Sequence, residues 1–183
     1  MPYLNSREVA AIALLSALWG VLASVFAPIV FRVMGLPILC DMIGFAVLTL
    51  AAWWVRKLGA VSMVGVIATL INFIFNPGGA HFLGFTAASM VFDAVSRLIG
   101  YERSFRSPSS ASVSMLLVSV LSAAVAGFII GTFFMAAPAL ARWGGVIGWV
   151  ALHAVGGAIG GVVGVILIIS LSARGIRRAE VRA

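Results

Sequence analysis

The hydrophobic residues of this chain fall into six long runs that are separated by short polar or turn-forming segments. Each run is close to the length of about 20 residues that an α-helix needs to cross a lipid bilayer. Asn76-Pro77-Gly78-Gly79 separates the third run from the fourth, and Pro138 closes the fifth. The pattern predicts an all-α, single-domain bundle over residues 1–183, with six transmembrane helices at 9–31, 37–55, 59–75, 81–100, 111–136 and 145–172.

The composition strengthens this prediction. Of the 183 residues, 63% are hydrophobic and 9% are charged, whereas soluble domains are only about 45 to 50% apolar. No polar stretch is long enough to form a separate soluble domain. The net charge of +7 does not indicate nucleic-acid binding, because the charges lie at the ends of apolar runs.

The basic residues are divided unequally between the two sides of the predicted bundle. Arg32 and Arg142 lie on one side. The other side holds ten of the 12 Lys and Arg residues, namely Arg7, Arg56, Lys57, Arg97, Arg103, Arg106, Arg174, Arg177, Arg178 and Arg182. Because Lys and Arg accumulate in cytoplasmic loops, this bias predicts that both termini are cytoplasmic and that the protein lies in the cell (plasma) membrane.

Polar side chains gather near the predicted outer ends of four of the helices. Such groups are costly in hydrocarbon, so they usually face a bundle interior or a wet cavity. Each has a structural alternative, with Asn76 as a turn residue, His81 in the headgroup zone and Asp41 as a helix cap. Their shared depth favours a ligand site, and the predicted substrate-binding residues are Asp41, Asn72, Asn76, His81, Trp149 and His153.

Charged and aromatic residues near this level indicate which ligands the site would suit. Asp41 would pair with a cationic or amino group, whereas Arg32 and Arg142 would suit an anionic ligand. Deeper in the fourth helix, Asp93 and Arg97 are spaced i,i+4 and predict a structural salt bridge. Aromatic side chains at the level of the site would stack on a flat ring or, alternatively, form an interfacial belt: Phe73, Phe75, Phe82, Phe85, Trp143 and Trp149.

Small residues at helical spacing form stripes in the first and last helices. Inside lipid, such stripes mark close contacts between helices. One stripe would serve packing within the bundle and the other a partner subunit, and spacing alone does not assign them. The first helix carries Ala10, Ala13, Ala17 and Gly20, and the last helix carries Gly156, Gly160 and Gly164 beside Gly157 and Gly161.

The sequence contains no enzyme signature. The only lysine, Lys57, is not part of a G-x-x-x-x-G-K-[ST] motif, so any ATP-driven step belongs to a partner. The H-E-x-x-H and G-x-S-x-G patterns are also absent. Two histidines on different helices are a weak signal for metal or haem, and no cofactor is predicted. The prolines lie at the ends of predicted spans, unlike the broken midplane helices of secondary transporters.

Three features together resemble a known family: the alanines of the first helix, the basic pair in VRKLGA and the turn in FNPGG. The chain resembles the substrate-binding S component of an energy-coupling factor (ECF) vitamin transporter, an ABC-type importer. It is most similar to the subgroup that takes up thiamine or its hydroxymethylpyrimidine precursor. The resemblance implies a six-helix protein that captures a small water-soluble vitamin from outside. It also implies that Ala10, Ala13 and Ala17 contact a membrane coupling protein, which works with two ATPase subunits.

Two other interpretations of the polar cluster are open. A structural or assembly subunit would use these side chains only to hold helices together. A small haem protein would use His81 and His153 as iron ligands, and a visible spectrum would identify it.

Overall fold

The computed structural model describes residues 3–176, and its regular secondary structure is helical throughout this range. Every predicted run forms a helix whose ends lie within three residues of the predicted ends. Two short helices, α5 and α7, lie in connections and were not predicted. The helices are α1 (Ser6–Met34), α2 (Ile38–Val55), α3 (Ala60–Phe75), α4 (Phe82–Ile99), α5 (Tyr101–Ser104), α6 (Pro108–Phe133), α7 (Ala137–Arg142) and α8 (Gly145–Ala173).

Within the described residues, five helices are long and apolar enough to cross a membrane, namely α1, α2, α4, α6 and α8. The sixth predicted span, α3, has only 16 residues. This is just below the roughly 17 to 25 residues that are typical of transmembrane helices. The described residues therefore form an all-helical bundle with five helices of membrane-spanning length, in agreement with the predicted fold class, and the sixth predicted span is a shorter apolar helix.

The six long helices pack as a closed ring in the order α1, α3, α4, α6, α8, α2 and back to α1. Helix α2 also contacts α3, α4 and α6 across the ring. It is consequently the most buried of the five long apolar helices, and α1 is the least buried. One end of the bundle, where α1, α3 and α6 begin, is called the charged end below, and the opposite end is called the cavity end.

The glycine stripes of α8 are used for packing within the bundle. A Cβ atom added to Gly156 would lie 2.6 Å from the Cβ of Asp41 on α2, and one added to Gly157 would lie 2.3 Å from the Cβ of Ala123 on α6. Both distances are shorter than any normal contact, so only glycine permits these approaches. The same close packing is repeated further along α8 at Gly160, Gly161 and Gly164.

The alanine stripe of α1 has the opposite environment. Ala10, Ala13 and Ala17 are all exposed on the outer surface of the bundle. Gly20 is buried, and a Cβ atom there would lie 2.7 Å from the Cβ of Ile71 on α3. The predicted four-residue face is therefore wrong at Gly20, because α3 packs against α1 at that level.

The predicted salt bridge between Asp93 and Arg97 is wrong. Asp93 Oδ2 accepts hydrogen bonds from the backbone N–H groups of Gly59 and Ser62, at 2.7 and 3.1 Å, and from Ser62 Oγ at 2.9 Å. Its Oδ1 accepts a hydrogen bond from the Tyr101 hydroxyl at 2.6 Å. The unpaired N–H groups at the start of α3 need an acceptor, and no side chain of their own helix caps them. Asp93 supplies it from α4.

Two ion pairs lie at the same end of the bundle. Lys57 Nζ lies 2.7 Å from Glu8 Oε2, and the Arg56 guanidinium lies 2.7 Å from Glu102 Oε2. Glu8 also closes a capping box with Asn5 at the start of α1. Of the basic residues predicted to face the cytoplasm, Arg177, Arg178 and Arg182 lie outside the described residues.

Candidate functional site

A cavity of about 490 Å³ opens at the cavity end of the bundle, between α1, the start of α2, the α3–α4 connection and the facing ends of α6 and α8. This volume falls within the roughly 300 to 1,000 Å³ that is typical of small-molecule sites. Five of the six predicted substrate-binding residues lie on its wall, namely Asn72, Asn76, His81, Trp149 and His153.

Asp41, the sixth predicted residue, is fully buried and does not line the cavity. Its Oδ1 lies 2.9 Å from His153 Nδ1. His153 thus stands between the carboxylate and the cavity, so the prediction that Asp41 lines the pocket is wrong. The helix-cap alternative also fails, because the start of α2 has no side-chain cap.

A proline within α1 shapes the wall that faces α3. The structure places Pro28 inside α1, not at a span end as the sequence suggested. In an uninterrupted helix the N–H of residue 28 would bond to the carbonyl of Ser24, and proline has no N–H. That carbonyl instead accepts a hydrogen bond from Asn76 Nδ2 at 3.1 Å. The carbonyl that Pro28 leaves free therefore holds the α3–α4 connection in place through Asn76.

Asn72 is held by the same serine. Its Nδ2 donates to Ser24 Oγ at 2.9 Å, and Ser24 Oγ donates in turn to the carbonyl of Gly20. The carbonyl oxygen of Asn72, Oδ1, has no hydrogen-bond partner although it is buried. A Cβ atom on Gly79 would lie 2.5 Å from this oxygen. Glycine at position 79 therefore keeps the Asn72 carbonyl free from obstruction by the connection.

Trp149 and His153 lie one helical turn apart on α8, so their rings share one face of the helix. The two ring centroids are 5.5 Å apart. Both residues are buried, and Trp149 Nε1 and His153 Nε2 have no hydrogen-bond partner. An unpaired buried polar atom costs about 1 to 3 kcal/mol. Three residues of the wall, Asn72, Trp149 and His153, thus carry a polar atom that a bound molecule could satisfy.

Aromatic rings form a continuous path along the cavity. Phe31 contacts Trp149, with ring centroids 6.3 Å apart. His153 contacts Phe85 at 5.7 Å, and Phe85 contacts Phe82 at 5.4 Å. Edge-to-face and tilted rings at these distances are mutually favourable and present flat apolar surface to a ligand.

The sequence-based aromatic set was partly misplaced. Phe73 and Trp143 pack against the hydrophobic core and are not on the cavity wall. Phe31 and Phe134 do line the cavity and were missed. Their positions at the ends of α1 and α6 put them at the depth of the other site residues, which is the signal that could have identified them.

The charge of the wall differs from the expectation based on Asp41. Arg32 lines the cavity, whereas the Arg142 guanidinium lies over the ring of Trp143, 5.5 Å from its centroid. No carboxylate is among the lining residues. A neutral or anionic ligand therefore suits this wall better than a cation does.

Within residues 3–176, no group of three or more His, Cys, Asp and Glu side chains could hold a metal ion. Comparisons with protein-family models, with curated proteins and with solved structures find no match to this chain. The interpretation of the site therefore rests on its own geometry.

Proposed function

We propose that this protein is the substrate-binding subunit of an ECF-type importer, which captures a small water-soluble vitamin or heterocyclic precursor from outside the cell. The observation that carries the proposal is a cavity of ligand size whose wall combines aromatic rings with buried, unpaired polar atoms on Asn72, Trp149 and His153. Such a combination of apolar lining and a few polar groups is typical of small-molecule sites.

In this proposal all six long helices cross the plasma membrane, including the short α3, and both termini are cytoplasmic. The cavity end then faces outwards. Support comes from the ring of six helices, in which α3 packs between α1 and α4, and from the bias of basic residues towards the charged end. The protein has no catalytic role and no ATPase of its own.

The remaining subunits are a membrane coupling protein and two ATPases. The exposed alanine stripe of α1, Ala10, Ala13 and Ala17, would bind the coupling protein. The environment of the two kinds of stripe supports this assignment, because the α8 glycines already pack against α2 and α6 whereas no residue among 3–176 buries the alanines. Small residues allow a partner helix to approach closely.

Thermal unfolding of the purified protein across a panel of vitamins and their precursors, thiamine and hydroxymethylpyrimidine included, tests ligand binding. A ligand at 100 times its Kd stabilises a protein by about 2.7 kcal/mol, so one compound should raise Tm clearly. His153→Ala should abolish this increase. If no compound raises Tm, ligand binding is wrong and the structural-subunit interpretation gains support. A haem absorption band in the purified protein would instead favour the haem interpretation.

The coupling surface has a separate test. Ala13→Leu should remove the coupling protein from the purified complex while the ligand-induced increase in Tm is retained. Ala94→Leu, at another exposed alanine on α4, is the matched control and should leave the complex intact. Retention of the complex in Ala13→Leu, or its equal loss in both variants, would show that the alanine stripe is not the coupling surface.

A further inference from the structure

We propose that Asp41 and Ser24 are positioning residues that fix the hydrogen-bonding polarity of the cavity, so that it selects a ligand edge carrying N–H donors. The inference rests on the proposed ligand-binding function. It concerns two residues that do not themselves contact the ligand in this scheme. Each holds a neighbouring side chain, His153 or Asn72, so that its unpaired atom is a hydrogen-bond acceptor.

Ser24 fixes the orientation of the Asn72 amide. The hydroxyl hydrogen of Ser24 is used on the carbonyl of Gly20, so Ser24 Oγ can only accept from Asn72. If the amide rotated by half a turn, its oxygen would face an oxygen with no hydrogen to donate. Because an unpaired buried polar contact is costly, Nδ2 stays on Ser24 and Oδ1 is the free atom.

Asp41 fixes the tautomer of His153 in the same manner. In this scheme Asp41 is ionised and therefore only accepts hydrogen bonds, which places the proton shared over the 2.9 Å contact on His153 Nδ1. In a neutral imidazole the other nitrogen is then an acceptor. That nitrogen, Nε2, is the buried atom without a partner. The indole N–H of Trp149 completes the set as the one donor.

The unpaired atoms of Asn72, His153 and Trp149 therefore comprise two acceptors and one donor, and these residues lie among aromatic rings. The ligand that matches them is a planar heterocycle with an amino group facing Asn72 and His153, and with an acceptor facing Trp149. An isostere with a carbonyl in place of the amino group would oppose acceptor to acceptor. Such a mismatch leaves buried groups unpaired and is rejected strongly.

Nitrogen-15 NMR of the histidine-labelled protein tests the tautomer without any ligand. His81→Gln assigns the spectrum, since the chain has two histidines. We expect a protonated Nδ1 and an unprotonated Nε2 on His153. In Asp41→Ala, signal should appear for a protonated Nε2. Thr49→Ala is the matched control, since Thr49 lies on the same α2 face against Gly164 of α8, and it should leave the signals unchanged. A protonated Nε2 in the unmodified protein would overturn the assignment.

Thermal shifts with paired heterocycles, adenine with hypoxanthine and 4-aminopyrimidine with 4-pyrimidinone, test the selectivity. The amino member of a pair should bind with a Kd at least tenfold lower, and should therefore raise Tm more at the same concentration. Ser24→Ala should reduce this discrimination. Ser16→Ala should retain it, because the Ser16 hydroxyl makes the same bond to its own helix, to the carbonyl of Ile12, without holding an asparagine.

The outcomes separate the inference from the proposed function. A preference for the carbonyl member, or equal loss of discrimination in both serine variants, would overturn the positioning roles while ligand binding stands. If neither these pairs nor the vitamin panel stabilise the protein, ligand selectivity and the proposed function are both wrong. The NMR measurement still decides the tautomer of His153 in that case.

Discussion

Two buried aspartates, one near each end of the bundle, show how differently the same side chain is used. Asp93, towards the charged end, accepts four hydrogen bonds from Gly59, Ser62 and Tyr101 and ties α3 and α5 to α4. Asp41, near the cavity end, contacts only His153 through one oxygen, and its Oδ2 has no partner. A buried carboxylate whose two oxygens are both hydrogen-bonded, like that of Asp93, is typical of a structural role. Asp41 instead bonds to a single residue of the cavity wall, and its unpaired oxygen lies against Gly156 of α8.

The largest expected effect is on stability, and it should separate the two aspartates. Asp93→Ala leaves three donors of α3 and the Tyr101 hydroxyl without their acceptor, so we expect a loss of about 3 to 5 kcal/mol in the free energy of unfolding. Asp41→Ala removes a single bond and should cost about 1 to 2 kcal/mol. Denaturation in detergent, without ligand, measures both. Equal losses would contradict the distinction between the two ends.

A smaller effect is expected on affinity at the α3–α4 connection. Gly79→Ala places a methyl group against Asn72 Oδ1, so Kd for the ligand found in the panel should rise about tenfold, the loss of one hydrogen bond of roughly 1.4 kcal/mol. Gly78→Ala is the matched control, because a Cβ atom there meets nothing within 4 Å. Calorimetric titration of both variants provides the comparison. Equal affinities would mean that Asn72 Oδ1 does not contact the ligand.

The smallest effect concerns Tyr101. Tyr101→Phe removes one donor from Asp93 and should cost about 1 kcal/mol at neutral pH, with no change in ligand affinity. Reduced affinity in this variant would contradict a purely structural role for this end of the bundle.

The same tyrosine gives a pH dependence. Burial and the hydrogen bond to Asp93 raise the pKa of Tyr101. Because this pKa is higher in the folded protein than in the unfolded chain, the protonated hydroxyl stabilises the fold. The stabilisation is complete below the ordinary tyrosine pKa of about 10 and is lost as pH rises above that value. Between neutral pH and pH 11, the free energy of unfolding of the unmodified protein should thus fall by about 1 kcal/mol more than that of Tyr101→Phe. Unfolding is measured for both proteins at pH 8 and pH 11. The same difference in stability at the two pH values would show that the pKa of Tyr101 is not raised.

The positions of the long helices could be predicted because lipid requires continuous apolar length, which is visible in the sequence. The short helices α5 and α7 could not, since four and six residues leave no periodic signal. Whether α3 crosses the membrane also depends on more than its apolar run, because its 16 residues are held by neighbouring helices.

The depth of the site residues was predictable, but their partners were not. Spacing along one helix suggested Arg97 for Asp93, whereas three of its four donors belong to residues 31 and 34 positions away in the chain. The contact between Asp41 and His153 joins residues 112 positions apart. Such pairings are decided by how helices pack, and in particular by α8 glycines that bring α2 close. The glycine stripes mark a close contact in the sequence, but they do not identify the helix that makes it.

Pro28 illustrates how an atom that is missing from one helix can organise another part of the chain. Because residue 28 has no amide hydrogen, the Ser24 carbonyl is available to Asn76, which lies 52 residues further along. Any other residue at position 28 would compete with Asn76 for that carbonyl from within its own helix. The position of the α3–α4 connection therefore depends on a proline in α1, a residue type that is better known for interrupting helices.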